Sequence, residues 1–374
     1  VLIEDALELA KLSEPDEFAG PPDPSELSIP SQWEQLDTFD DAVSRISAEE
    51  AMQRALEGER AAFDFDARIT NSEGASFTRA RGVSALVTSS GFAGHDVGTY
   101  ASIVVTPVAD DEGGKKRRGY HWSASRHYAE LESSQSVGQE AARRTVAQLG
   151  AKKLPTQQLP VIFDREAARS IVGLLAGCIL GGSIWRRSSY LVDRVGSKVA
   201  SDLVTIIDDP LLLRGPGSRA FDGEGLLSRR NVVVRDGRLE TYLLDTYSAR
   251  KLGLQSTASA ARSTSGGISA STSNLTLQPG KLSRDELIAD TPHGLYVTGM
   301  MGFGFNAVTG DFSRGASGFL IVDGELDHPV SEITISLNLD ELLQRIDAVA
   351  DDLDHRTSVA SPTFRVASMT LAGT

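Results

Sequence analysis

GLYVTGMMGFGFNAVTGDFSRGASGFLIVDGELDHPVSEITISL, residues 294–337, is the stretch that decides how this chain reads. Two apolar runs of β character, 295–298 and 318–322, enclose a loop with glycines at 299, 302, 304, 310 and 315. Glycine at that density lets a backbone turn sharply or approach a neighbour closely, because no Cβ limits φ or fills the space. Asn306, Asp311, Ser313 and Arg314 add a polar set that a simple turn does not need. Gly302-Phe303-Gly304 suggests a phosphate cradle, but 305–310 has no helical period. A dinucleotide fingerprint requires strand, glycine turn and helix in that order. The loop therefore reads as the lining of some other cleft.

Working outward, a strand over 333–337, a helix over 340–351 and a strand over 363–371 close the chain. Upstream, 203–207, 231–235 and 239–244 read as strands, the last two joined at Asp236-Gly237, a strong hairpin signal. Residues 256–273 are mostly Ser, Thr, Ala and Gly, too poor in large apolar side chains for a core position, and read as a mobile loop or a flap over the cleft. A short apolar strand over 159–163 precedes a helix over 165–180 that Gly181-Gly182 should end. Residues 151–160, with Pro155 and Pro160, read as a linker between an N-terminal domain (1–150) and a C-terminal domain (161–374).

In the N-terminal part, the proline-rich 13–31 reads as a surface loop and 40–59 as an amphipathic helix. Strands follow at 63–69 and 75–88, separated by a turn at 71–74, then at 100–108 and 119–125. They form an antiparallel meander whose dry face is covered by helices such as 137–149. The fold class expected is α+β, an N-terminal antiparallel sheet with covering helices followed by a β-rich C-terminal domain.

Asn71-Ser72-Glu73-Gly74-Ala75-Ser76, Ala141-Ala142-Arg143-Arg144-Thr145, Tyr247-Ser248-Ala249-Arg250-Lys251-Leu252-Gly253 and Thr309-Gly310-Asp311-Phe312-Ser313-Arg314-Gly315-Ala316 resemble signatures of the TldD/PmbA family. This family was long labelled modulators of DNA gyrase and is now treated as metallopeptidases. The matches run in order along most of the chain and are closer to the PmbA branch, also called TldE. The resemblance implies a cytoplasmic metalloprotease complex in which a TldD-type subunit supplies zinc, the two enclosing an extended peptide. In the zinc-bearing branch a His-Glu-x-x-x-His motif holds the metal and a proton-accepting glutamate, with a further cysteine ligand near the C-terminus. The matching positions here, anchored on Glu166-Ala167-Ala168 and Gly177, are Gly173, Leu174 and Cys178, and 357–374 contains no cysteine. No cofactor is expected in this chain. The partner expected is a TldD-type subunit or a second copy. Family members also carry an additional segment ahead of Val1, so the native N-terminus is expected to be missing.

Within that frame Gly302, Phe303, Gly304, Phe305 and Asn306 are the candidates to face a peptide, since a strand edge pairs with varied peptides through their backbone. Asp311 and Arg314 are expected to brace the loop through a mutual ion pair. The alternative is that all of these merely stabilise a tight turn. An acidic and basic set, Arg186, Arg187, Asp222, Glu224, Arg229 and Arg230, reads as a structural ion-pair network. His121 and His127 lie near Glu130 and Glu132 without tight metal-ligand spacing.

Composition narrows the alternatives. The net charge of −14 disfavours direct nucleic-acid binding, and the one dense basic run, Lys115-Lys116-Arg117-Arg118, follows acids as one arm of a charged turn. No apolar run approaches the roughly 18 residues that cross a bilayer. The single cysteine excludes a disulfide within the chain, and a cytoplasmic location is the simplest account. Two rival readings stay open: an independent metallopeptidase with an unrecognised metal site, and a non-enzymatic modulator of DNA gyrase.

Overall fold

Alternating apolar residues carry the N-terminal half through two long antiparallel strands, Ile69–Val87 and Ala93–Asp110, paired along their length. The computed structural model describes residues 2–12, 14–263 and 267–373, and its fold is α+β. The turn expected at 71–74 is a pair of β-bulges, between Ile69 and Asn71 and between Ser72 and Gly74, so one strand continues where two were expected. The strand expected from residue 63 starts only at Ile69, because Phe63 still belongs to a helix. The helix read over 40–59 is two, Asp41–Arg45 and Ala48–Phe63. The break sits at Ile46, and Ser47 caps the second by accepting from the Glu50 N–H at 3.0 Å.

Strands Lys116–Arg118 and His121–Ser125 complete this sheet along Ala93–Asp110. Helices Ala48–Phe63 and Ser134–Val146 cover it, burying Ala62, Ile103, Val105, Val137 and Ala141 in one small core. The far end of the long hairpin leaves that core and reaches the C-terminal part. There Phe92 is buried against Trp33 and Phe221, with ring centroids 6.1 and 4.9 Å away.

The C-terminal part is built on two sheets. Glu325–Asn338, Asp311–Val322, His293–Met301, Gln157–Phe163 and Phe364–Ala372 are hydrogen-bonded in that order, and Phe364–Ala372 also pairs with Glu325–Asn338, closing the circle. Gln157–Phe163 is already part of this sheet, so the linker read over 151–160 is shorter than expected. A second sheet runs Val359–Ala360, Leu275–Leu277, Ile206–Asp208, Asn231–Arg235, Arg238–Leu239. Its last two strands join as expected at Asp236-Gly237, whose φ angles of 47° and 77° fit a two-residue hairpin turn.

Helix Arg165–Cys178 packs on strands of both sheets and anchors the large core that they share. Gly181-Gly182 opens a further helix, Gly181–Trp185, instead of ending one. The helix expected over 340–351 stops at Gln344, and Ile346–Val349 is a strand paired to Phe364–Ala372.

Within the segment 256–273, where a mobile loop was expected, Ala260–Arg262 and Ile268–Ala270 pair as a small hairpin; residues 264–266 lie outside the described ones. Its small residues suit burial because their hydroxyls satisfy the surrounding polar groups. Thr257 Oγ1 takes the Leu244 N–H at 2.6 Å, and Ser273 Oγ donates to Asp208 at 2.9 Å. Among the described residues no helix is long and apolar enough to cross a membrane.

Candidate functional site

Helix Arg165–Cys178 has two unlike faces. Asp164 caps it, accepting from the Glu166 N–H at 3.0 Å, and is itself held by the Tyr296 hydroxyl at 2.7 Å. Ala168, Ile171, Val172, Leu175 and Cys178 are fully or almost fully buried. The opposite face carries Glu166, Ser170, Gly173 and Gly177, and a Cβ on either glycine would meet nothing within 4 Å. Backbone that approached this face would find open space.

Three of the singled-out positions, Gly173, Leu174 and Cys178, lie on this helix, and they do not fit a metal. Gly173 and Leu174 have no donor atoms. Cys178 points into the core, and burial pushes its thiol up to about 11 despite the opposing effect of a hydrogen bond with Ser189. Among the described residues no group of three His, Cys, Asp or Glu converges to hold an ion. His121 is buried with Nε2 3.1 Å from Glu132, whereas His127 approaches Asp37 at 3.3 Å. Burial holds the His121 imidazole below its ordinary pKa, against the opposing influence of Glu132.

The glycine loop lies between His293–Met301 and Asp311–Val322. Its five candidate residues do not share one environment. Phe303 is fully exposed, while Phe305 packs on the core and bridges to Phe312. Gly302 has φ +84° and open space around it. Gly304 lies so close to the next strand that a Cβ would overlap the Ser313 carbonyl oxygen, and its own carbonyl accepts the Ser313 N–H at 2.8 Å. Asn306 is used within the loop: its N–H donates to the Asp311 carbonyl at 2.9 Å and its side chain accepts from the Val308 N–H at 3.0 Å.

The ion pair expected between Asp311 and Arg314 does not form. Three positions apart on one strand, the two side chains leave opposite faces. Asp311 accepts from Thr309 Oγ1 at 2.7 Å and Asn338 Nδ2 at 3.2 Å, so it still braces the loop. Arg314 turns to helix Arg165–Cys178 and donates to Ser170 Oγ at 2.8 Å.

The expected network of arginines around Asp222 and Glu224 is also absent. Both carboxylates are buried and bound by neutral donors: Asp222 by the N–H groups of Glu224, Leu226 and Ala260, Glu224 by Thr246. Burial raises the pKa of both. Arg187 pairs instead with Asp193 at 3.1 Å and Arg230 with Asp209 at 3.7 Å, while Arg186 lies over Trp185 and Arg229 donates to the Ser256 carbonyl.

Each residue of the basic run does have its acid: Lys115 with Glu332, Lys116 with Asp110, Arg117 with Asp111 and Arg118 with Glu73. Sequence reading passed over the cross-domain bridge at the start of the helix. Arg144, on Ser134–Val146, reaches Glu166 at 3.0 Å, and the Tyr120 hydroxyl donates to the same carboxylate at 3.1 Å. The available signal was the small and polar spacing 166, 170, 173, 177 on an otherwise apolar helix.

Family models described as the PmbA/TldA metallopeptidase central domain and C-terminal domain match residues 41–149 and 156–373. The chain is 38% identical over 371 residues to the metalloprotease PmbA of Escherichia coli O157:H7, covering 99% of this chain and 79% of that protein. To a PmbA homolog of Haemophilus influenzae it is 36% identical over 374 residues, with 99% and 79% covered. A solved structure from Bacteroides thetaiotaomicron, named as a modulator of DNA gyrase, superposes with TM-score 0.91 at 27% identity, covering 100% of this chain and 82% of that one. TldE from Thermococcus kodakarensis shares the fold with TM-score 0.86 at 23% identity, covering 99% and 84%. From the ordered matches of sequence and the shared fold, this chain belongs to the PmbA/TldD metallopeptidase family.

Proposed function

We propose that this chain is a PmbA/TldE-type subunit of a cytoplasmic metalloprotease that degrades or processes peptides. It shapes the peptide cleft, and a TldD-type subunit supplies the zinc. The observation that carries this reading is the helix Arg165–Cys178, where Gly173, Leu174 and a core-facing Cys178 stand at the His-Glu-x-x-x-His positions. Likeness over 99% of this chain to proteins named metalloprotease PmbA, and partial likeness to one named as a TldD homolog from Haemophilus influenzae, support the family role and the kind of partner. A lone buried thiol is compatible with a reducing compartment. The glycine loop and the open helix face would border the peptide, the exposed Phe303 as a contact and Gly304 as the support that keeps the loop close to its neighbouring strand.

The test is metal analysis and peptidase assay of the purified chain, alone and mixed with a protein bearing His-Glu-x-x-x-His. Alone, no stoichiometric zinc and no hydrolysis are expected; the mixture should cleave an unfolded peptide. One tightly held transition metal per chain, with hydrolysis by the chain alone, would overturn the proposal. Recovery of gyrase without any such partner would favour the modulator reading.

A further inference from the structure

Arg314 is a partly buried cation with no carboxylate beside it. It follows Phe312 and precedes Ala316, two buried core residues on the same face of its strand, and so it is drawn under the edge of helix Arg165–Cys178. Its only hydrogen bond among the described residues is the one donated to Ser170 Oγ at 2.8 Å, and its Nε–H is covered and unpartnered. Burial lowers its pKa and no acid opposes the shift.

Several other partly covered arginines do have a carboxylate: Arg144 has Glu140 and Glu166, Arg194 has Asp340, and Arg365 has Asp290 and Asp347, whereas Arg126 and Arg219, like Arg314, make no ion pair among the described residues. A covered guanidinium without a counter-charge is costly, and the usual resolution is an anion that accepts from its planar fork of N–H donors.

The surroundings suit such an anion. Ser170 shares the open helix face with Gly173 and Gly177, which leave room for an incoming backbone. Arg169, one residue away, adds a second positive charge; it lies 5.8 Å from the Trp122 ring and has no ion pair among the described residues. The single acid on this helix, Glu166, is already engaged by Arg144 and Tyr120. Arg314 thus lies beside the open helix face with no ion pair of its own among the described residues.

We propose that Arg314 recognises a carboxylate of the bound peptide, either its C-terminal group or an acidic side chain, on the open face of helix Arg165–Cys178. This rests on the peptide-cleft reading of the same site and adds a chemical preference to it. Arg314 would be a specificity residue, placing the peptide by one end or one acidic residue while its backbone runs past Gly173 and Gly177.

The test uses three short, unstructured, N-terminally fluorescein-labelled Gly/Ser/Ala peptides and the full chain, alone and mixed with a protein bearing His-Glu-x-x-x-His. One has a free C-terminal carboxylate, one a C-terminal amide, and one an amide with a single internal Glu. Wild type is expected to bind at least one of the carboxylate peptides about tenfold more tightly than the plain amide, the order of one charge-assisted hydrogen bond. Which one it prefers tells a terminal from a side-chain carboxylate. Arg314→Gln should lose that preference while binding the amide as before, which shows that the cleft is still folded, and Arg314→Lys should retain part of it. Equal binding of all three by wild type, or an unchanged preference in Arg314→Gln, would overturn the role of Arg314 and leave the cleft standing. Failure of all three to bind wild type in either state would remove the peptide cleft, and this inference with it.

Discussion

Phe303 and Gly304 are neighbours in sequence held by opposite constraints, one by solvent and the other by backbone. Phe303 touches no core, so Phe303→Ala should leave the thermal midpoint nearly unchanged, the usual outcome at an exposed site. If the loop faces peptide, the same change should slow cleavage by the mixed complex severalfold. Gly304→Val must push the Ser313 carbonyl away and break the hydrogen bond between them, and should cost more than about 2 kcal/mol in a denaturation experiment. Activity lost in Gly304→Val therefore says little about peptide contact, whereas activity lost in Phe303→Ala speaks to it directly. An unchanged cleavage rate in Phe303→Ala would make the loop tip a bystander.

At the scale of elements, the long hairpin depends on something outside itself. The hairpin leaves its own sheet behind and ends with Phe92 buried against Trp33 and Phe221, with Gly94 and Gly225 giving the rings room. Truncation to Phe92→Ala should cost about 3 kcal/mol and open the hairpin end to limited proteolysis around residues 84–97. An unaltered digestion pattern would show that the end is held by other contacts.

The helix Arg165–Cys178 makes a complementary prediction. Installing His at 173, Glu at 174 and His at 178 should not create a zinc site, because 357–374 contains no cysteine to supply the further ligand. Metal analysis of that triple variant should find no stoichiometric zinc, and the imidazole forced in at 178 should lower stability by overpacking.

The two halves of the molecule are joined by charge as well as by aromatic packing. Glu140 is partly buried, which would raise its pKa, but hydrogen bonds from Arg143 and Arg144 hold it down to about 2, and Arg144 continues to Glu166 in the other half. A carboxylate whose folded pKa lies below its ordinary 4.5 stabilises the fold above that pH, and the contribution is lost as pH falls from about 4.5 towards about 2. Glu140→Gln should therefore be less stable than wild type at pH 7, by about 1 kcal/mol after allowance for solvent screening, and the gap should close as pH nears 2. Urea midpoints at neutral and acid pH check this; a gap that persists at low pH would exclude the ionic origin. For the assembly, sedimentation should give a dimeric mass for the chain with itself or with a TldD-type partner, and a strictly monomeric mass under both conditions would count against the pairing.

Local sequence determined a good deal. Asp236-Gly237 names its own turn because few residues tolerate two successive positive φ angles, and the apolar stripe of 165–178 names a helix because its period is local. The missing donors at Gly173 and Leu174 are legible without any structure, since residue type alone sets coordination chemistry.

Tertiary structure decided whatever depends on partners far along the chain. Residues 71–74 continue a strand because Ala93–Asp110 supplies the opposing ladder, and Thr257 and Ser273 are buried because distant polar groups, the Leu244 N–H and the Asp208 carboxylate, use their hydroxyls. Arg314 meets Ser170 instead of Asp311 because strand pleating sends neighbours three apart to opposite faces while the fold brings residue 170 alongside. Hydrogen-bonding capacity is written in each residue; which groups meet is fixed only when the sheets close around the helix.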